Sequence, residues 1–160
     1  SASSIQPKVN TVVLDRLQDA GNVGSILRSA AALGVMQVIA IKGTAALWSG
    51  KVLRAAMGAH FALHLLEGCE PQDLDVLQVP RLVTSSHEGQ VLFEAKLPDP
   101  CAWFMGHEGQ GVSAELLAGA TSRVRIPQPG GEESLNVAAA ASICLYESLR
   151  QRVIAAGTTN

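Results

Sequence analysis

Residues 126–147 read IPQPGGEESLNVAAAASICLYE, and the fold is decided by how this stretch is read. Ile126 closes a short apolar run, and Pro127 stops it because proline has no N–H to give to a sheet ladder. Pro129, Gly130 and Gly131 then punctuate a turn over 128–133. Ser134 is a good N-cap residue, its hydroxyl able to take a free backbone N–H, so a helix is expected to begin near it. From Val137 to Tyr146 this helix carries no charge on any face, the pattern of a buried helix. Ser134 and Asn136 thus stand at the mouth of a buried helix, directly after a glycine loop, where a ligand could sit. An ordinary capped core helix has the same local pattern.

Working outward, short apolar runs alternate with helical segments along the whole chain. Thr11 to Leu14 reads as a strand ended by Asp15, and Arg16 to Gly21 as a polar loop. Asn22 is expected to cap the next helix and Gly34 to end it in a left-handed conformation. Within that helix Val23, Ile26, Leu27, Ala30 and Ala31 recur at amphipathic spacing. Met36 to Ile41 is a near-continuous apolar strand, as in a parallel sheet covered on both faces. Trp48 to Met57 reads as helix, Phe61 to Leu66 as strand and Pro71 to Leu77 as a short helix. Arg81 to Thr84 is a strand running into Thr84, Ser85 and Ser86. Cys101 to Met105 is another, opening into the loop Gly106 to Gly111. Ser113 is placed to cap a helix to about Ala118, and Ser122 to Ile126 is the last strand. The alternation predicts an α/β fold with a mostly parallel sheet flanked by helices.

Composition agrees with one folded domain. Of the 160 residues 48% are hydrophobic and 16% charged, enough to build a core and too apolar for a disordered chain. The net charge of −2 argues against a strong non-specific grip on nucleic acid, although a local basic patch would vanish in the sum. Cys69, Cys101 and Cys144 are odd in number and lack metal-ligand spacing, which predicts free thiols in a reducing cytoplasm. His60, His64 and His87 form no metal pattern either, and His107 has no evident partner that would make it a catalytic base. No apolar run reaches membrane-span length. The opening SASS reads as a linker remnant or tag scar, with residues 1–10 expected to be disordered or linker and 11–155 the folded domain.

Ligands of open α/β sheets bind beyond the carboxyl ends of the strands. Four such loops carry polar or glycine residues: 15–24, 84–86, 106–111 and 128–136. None is a dinucleotide fingerprint or a P-loop, and no nucleophile elbow surrounds Ser134. Arg28 lies off the apolar stripe of its helix and can fold back toward the Asn22 loop, where a cation suits a phosphate or a developing oxyanion. A solvated surface arginine is the plainer reading. Glu108, between glycines, could hold Arg28 or accept from a ligand. A solvated loop glutamate is its plainer reading.

Three segments taken together resemble the SpoU (TrmH-like) family of RNA ribose 2′-O-methyltransferases, within the SPOUT superfamily. The first is N-x-G-x-x-x-R at Asn22, Gly24 and Arg28. The second is G-x-E-G-x-G at Gly106, Glu108, Gly109 and Gly111. The third is I-P-x-x-G-x-x-x-S-L-N-V from Ile126 to Val137, followed by an apolar helix ending in Leu145, Tyr146 and Glu147. Gln128 and Pro129 depart from the family, which often has methionine and a small residue there; the change is expected only to adjust the loop.

The resemblance implies a C-terminal deep trefoil knot, a rarity among folds, that holds S-adenosylmethionine. Main-chain groups at Gly106, Ile126 and Leu135 would grip the cofactor, with Gly111 in the loop and Thr84 lining the pocket. The catalytic set would be Arg28, Asn22, Glu108, Ser134 and Asn136, with no metal. A homodimer is implied, Arg28 of one chain serving the site of the other. The substrate would be RNA, ribosomal RNA ahead of transfer RNA on family frequency. A family arginine is proposed as general base. For an ordinary arginine, deprotonation at neutral pH costs roughly 7 kcal/mol, so a cationic Arg28 that fixes phosphate and stabilises an alkoxide is the physically easier role. Many family members carry an RNA-binding domain before the first strand, so the chain is expected to be a catalytic fragment or a minimal enzyme. The competing reading is a catalytically silent RNA-binding or assembly module on the same fold. Gly106→Val is expected to block the cofactor with little effect on the core.

Overall fold

A computed structural model describes residues 4–85, 88–130 and 135–157 of the chain. Among them, seven strands form one sheet: β1 (Thr11–Asp15), β2 (Gln37–Ile41), β3 (His64–Cys69), β4 (Arg81–Thr84), β5 (Gln90–Val91), β6 (Ala102–Gly106) and β7 (Ser122–Arg125). Their order is β3-β2-β1-β6-β4-β7-β5, and every pairing is parallel. Two late strands are therefore inserted between early ones: β6 between β1 and β4, and β7 between β4 and β5. A parallel sheet of this kind must be covered on both faces, and it is.

The β1 run shows how the sequence achieves this, because side chains alternate across a strand. Val12 and Leu14 join one core with Ile26, Leu27, Trp103 and Leu145. Val13 joins the opposite core with Ile39, Phe104, Leu74 and Leu116. The first core is roofed by α1 (Ala20–Ala32), α2 (Gly50–Ala56) and α4 (Val137–Ala156), and Leu116 of α3 (Ala114–Ala118) packs into the second. Trp103, fully buried in β6, satisfies its indole N–H on Ser148 Oγ of α4 at 2.9 Å. Ser29 and Ser142 hydroxyls, 2.7 Å apart, join α1 to α4.

Several boundaries differ from the sequence expectation, each for a local reason. Asp19, not Asn22, caps α1: its carboxylate accepts the Asn22 N–H, which makes Asn22 a first-turn residue. Gly34 does end that helix at φ 88°. Phe61 belongs to a 3₁₀ turn, Ala59–Phe61, so β3 starts three residues later than its apolar run. Ser49 caps α2, leaving Trp48 outside it. The two-residue β5 has no alternation to reveal it. Asn136 caps α4, through bonds from Ala138 N and Ala139 N, so the helix begins at Val137 rather than near position 134. Residues 4–10, expected to be disordered or linker, pack on the sheet: Ile5 is buried, and Gln6 exchanges two hydrogen bonds with the buried Gln37 side chain.

The expectation that α4 is buried all round also needs correction. Ala141, Cys144, Leu145 and Ser148 face the core at i, i+3, i+4 and i+7 spacing. On the opposite side Ile143 and Tyr146 are 40% and 61% exposed. One chain covers only one side of this helix. Cys69, Cys101 and Cys144 are all buried free thiols, with burial pushing Cys101 up to about 11 and Cys144 to about 12.

Candidate functional site

The carboxyl ends of β1 and β6 lie side by side, with Asp15 in register with Gly106. Beyond them and the end of β4 opens a cavity of about 1010 Å³. Its walls come from all four loops picked out in the sequence. Asn22, Thr84, Gly106, Glu108, Gly111, Ile126, Leu135 and Asn136 all line it, brought together from across the chain. Asp19, Gln18 and Gln128 line it as well. Among the described lining residues Asp19 and Glu108 are acidic, and none is Lys or Arg.

The glycine loop is held by its own main chain, by the His107 ring, and by Asp15 and Arg16, which the sequence marked only as a strand end and the start of a loop. His107 and Gly111 exchange N–H···O bonds of 3.1 and 2.8 Å. The His107 ring accepts Gly109 N and Gln110 N at Nδ1, at 3.0 and 3.1 Å, so it braces the loop rather than standing free as a base. A Cβ at Gly106 would overlap the Gly111 carbonyl carbon and Val112 N. Gly106 is thus required by the loop's own closure, so Gly106→Val, expected to block the cofactor with little effect on the core, would also displace the loop. Gly111 adopts φ 71°, a left-handed conformation suited to glycine.

Asp15 and Arg16 clamp this loop from β1. The Asp15 carboxylate is buried and accepts Ser113 N at 2.7 Å and Arg16 Nε at 3.0 Å. Arg16 in turn donates to Gln110 Oε1 and Gly111 O at 3.1 and 3.2 Å. Its own backbone sits at φ 63°, rare for a non-glycine residue, and is pinned by a 3.0 Å bond from Arg16 N to Thr44 Oγ1. A charged residue terminating the apolar run TVVL was the one sequence signal for this clamp.

Within one chain Glu108 makes no bond to Arg28. Its two oxygens accept Gln18 N at 3.1 Å and Asp19 N at 3.0 Å, fixing the turn that enters α1. Burial raises the Glu108 carboxyl, but bonds from Asp19 N, its own N–H, Gln18 N and the Asn22 side chain outweigh that and hold it below the usual range. Asn22 continues the chain of bonds. Asn136 Oδ1 is committed to the α4 N-terminus, so its Nδ2 donates, to Asn22 Oδ1 at 2.9 Å. Asn22 Nδ2 is thereby turned toward Glu108. The first turns of α1 and α4 and the glycine loop are joined by one hydrogen-bonded relay.

Gln128 does more than adjust its loop: its Oε1 accepts the Leu135 N–H at 3.1 Å. Ser134, Ser86 and Gly131 lie outside the described residues. Arg28 is exposed, does not line the cavity, and makes no hydrogen bond or ion pair among the described residues. Among the described residues no group of three or more His, Cys, Asp or Glu side chains is placed to hold a metal ion.

A second depression, of about 510 Å³, adjoins the first through Ile126, which lines both. Leu92, Phe93, Pro127, Ile143 and Tyr146 make it an apolar groove along the exposed side of α4.

The sequence profile of the SpoU rRNA Methylase family matches residues 10–146. The chain is similar to the 23S rRNA (guanosine(2553)-2′-O)-methyltransferase RlmP of Bacillus subtilis, at 36% identity over 138 residues, spanning 84% of this chain and 56% of that protein. Among solved structures it is similar to the SpoU methyltransferase AviRb from Streptomyces viridochromogenes in complex with the cofactor AdoMet. That match has a TM-score of 0.87 at 29% identity and covers 94% of this chain and 63% of the other. It is also similar to a structure described as giving insight into 2-OH methylation of C/U34 on tRNA, with TM-score 0.80 and 29% identity, covering 92% of this chain and 99% of that one. The chain spans between 53% and 60% of the length of the bacterial curated relatives it matches.

Proposed function

The chain belongs to the SpoU rRNA methylase family, and from that premise we propose that it transfers the methyl group of S-adenosylmethionine to a ribose 2′-hydroxyl of RNA. Residues 11–155 are the catalytic domain in this reading. The single observation that carries it is the convergence of three distant segments on one cavity whose described lining has two carboxylates and no Lys or Arg. Such a lining favours a sulfonium over an anionic ligand. The residues lining the cavity would hold the cofactor, which would supply an electrophilic methyl group to the 2′-oxygen, the hydroxyl proton passing to solvent water.

The residues divide by reach. Main-chain groups at Gly106, Ile126 and Leu135 hold the cofactor, with Gly111 shaping the loop and Thr84 forming a wall. The Leu135 N–H would reach the cofactor only if released by Gln128, whose Oε1 accepts it. Glu108, Asn22 and Asn136 set the positions of the loop and the two helix ends. Ser134 completes the catalytic set.

Arg28 acts from a partner subunit, as a cation on the phosphate next to the target and on the developing alkoxide. The homodimer this needs is supported by the apolar groove on α4, which continues into the cavity wall at Ile126. Insertion of β6 and β7 between earlier strands supports the trefoil knot. The buried free thiols suit a cytoplasmic protein. Relatives named for 23S rRNA support ribosomal RNA ahead of transfer RNA as substrate.

Calorimetry with S-adenosylmethionine tests the reading, paired with methyl transfer to ribosomal RNA by the parent and by Arg28→Ala. The cofactor should bind both proteins alike, and transfer by the variant should fall at least ~10²-fold, the scale of one lost electrostatic donor. A parent protein that fails to bind the cofactor would refute the proposal.

A further inference from the structure

From Ala20 to Leu66 the chain contains no Asp or Glu, yet it contains Arg28, Lys42, Lys51 and Arg54. All fourteen acids lie elsewhere, set against the other eight cations. A chain of net charge −2 thus holds a long acid-free stretch with four cations, and the fold sets three of them along a line. α1 and α2 pack so closely at Gly24 that no Cβ would fit between Gly24 and Ala55. At 3.6 residues per turn, Arg28 lies about 40° round α1 from Gly24, one turn on, at the solvent lip of this seam. Across the seam on α2, Val52 and Ala56 face the core and Ala55 faces α1. The same spacing sets Lys51 and Arg54 on the α1 side of the solvent face, with Leu53 and Met57 turned to the other side.

Arg28, Lys51 and Arg54 are exposed, and none has a hydrogen-bond or ion-pair partner among the described residues. Arg16, Lys42, Arg123, Arg150 and Arg152, by contrast, all have carboxylate partners. Among the described residues that line the cavity there is no Lys or Arg, so the basic side chains that would attract a polyanion lie outside it.

We propose that the seam between α1 and α2 is the track for the RNA sugar–phosphate backbone, with Lys51 and Arg54 binding phosphates that flank the nucleotide served by Arg28. The proposal rests on the RNA reading above and adds to it the surface that binds the strand. Phosphate contacts of this kind position a strand without reading its sequence, and they release counterions, which gives binding a salt dependence.

The test compares the intact chain with Lys51→Gln/Arg54→Gln and with Lys8→Gln/Lys96→Gln, which removes the same charge from exposed sites elsewhere. The probe is a labelled oligouridylate titrated by anisotropy over a range of salt. The seam variant should bind at least ~10-fold more weakly at low salt, and its salt slope should shrink by about 1.4, the value for two contacts to a single strand. Lys8→Gln/Lys96→Gln should match the parent. S-adenosylmethionine affinity should stay unchanged in all three, and the seam variant should show a raised RNA KM at unchanged kcat. Equal affinity and slope in the two double variants would overturn the seam while leaving the methyltransferase reading intact. A seam variant that changes only its mass in light scattering would make the face a protein contact and overturn the seam equally. A parent that binds S-adenosylmethionine but neither binds nor methylates RNA would overturn both.

Discussion

Asn136 Nδ2 donates to Asn22 Oδ1 across 2.9 Å, joining residues 114 positions apart at the first turns of α4 and α1. The same Asn136 caps α4 through its other amide atom. These two jobs separate by substitution. Asn136→Asp keeps the capping acceptor and loses the donor, whereas Asn136→Ala loses both. Urea unfolding should place the Ala variant about 1 kcal/mol below the parent and the Asp variant within about 0.5 kcal/mol of it. Methyl transfer should fall in both. Full activity in Asn136→Asp would show that the relay to Asn22 has no part in the reaction.

The Glu108 carboxylate, held below its usual range, links loop order to pH. Its folded pKa is depressed, so its contribution to stability is present above the ordinary value of 4.5 and is lost as pH falls through the lower folded value. Parent minus Glu108→Gln stability, measured against pH, should be flat near neutrality and shrink below pH 4.5. A difference that grew on acidification would mean that the bonds from Gln18 and Asp19 do not favour the charged form.

The glycine loop makes a prediction within six residues. A Cβ at Gly106 meets backbone, while one at Gly109 meets only the His107 ring, at 3.6 Å. Gly106→Ala should displace the loop and abolish S-adenosylmethionine binding in calorimetry, with a loss of stability as well. Gly109→Ala should bind normally. Equal tolerance at both sites would mean that the closure seen between Gly106 and Val112 is not what shapes the cavity.

Much of this architecture was legible because it obeys periodicity. The TVVL and RLVT runs, the amphipathic spacing of α1 and the Ser113 cap needed only local rules. The misplaced features depend on contacts made across the chain. Asn22 has the composition of a cap, but Asp19 takes that place because Glu108, from a distant loop, fixes the turn before it. Asp15 looked like a strand end; its partners are Ser113 N and the next residue, Arg16, which itself reaches Gln110 and Gly111. The uncharged run in α4 read as buried all round, since periodicity cannot distinguish a face covered by its own chain from one left for another. Gathering the site depended on order rather than pattern: the motifs lie far apart, and the strand order that unites them follows no local rule.

The exposed side of α4 predicts assembly. A dimer seated there should bury at least a standard ~1,600 Å² in total. Ile143→Glu/Tyr146→Glu should be monomeric by light scattering and still folded, since both side chains are partly exposed already. If Arg28 serves a partner's site, mixing Arg28→Ala with Asn136→Ala should return some activity after subunit exchange, because one site per heterodimer is then intact. Exchange without recovery would place each site within one chain.

The central claim concerns one oxygen atom, and RNA chemistry can identify it. Alkali cleaves RNA through the ribose 2′-hydroxyl, so a methyl placed on that oxygen protects the adjoining phosphodiester. The protein should be incubated with methyl-labelled S-adenosylmethionine and unmodified ribosomal RNA, and the product hydrolysed in alkali. The account predicts label in alkali-resistant dinucleotides, and its loss with Arg28→Ala. Label recovered only in single nucleotides would place the methyl on a base, and no label in RNA despite cofactor binding would leave no transferase; either result contradicts the account.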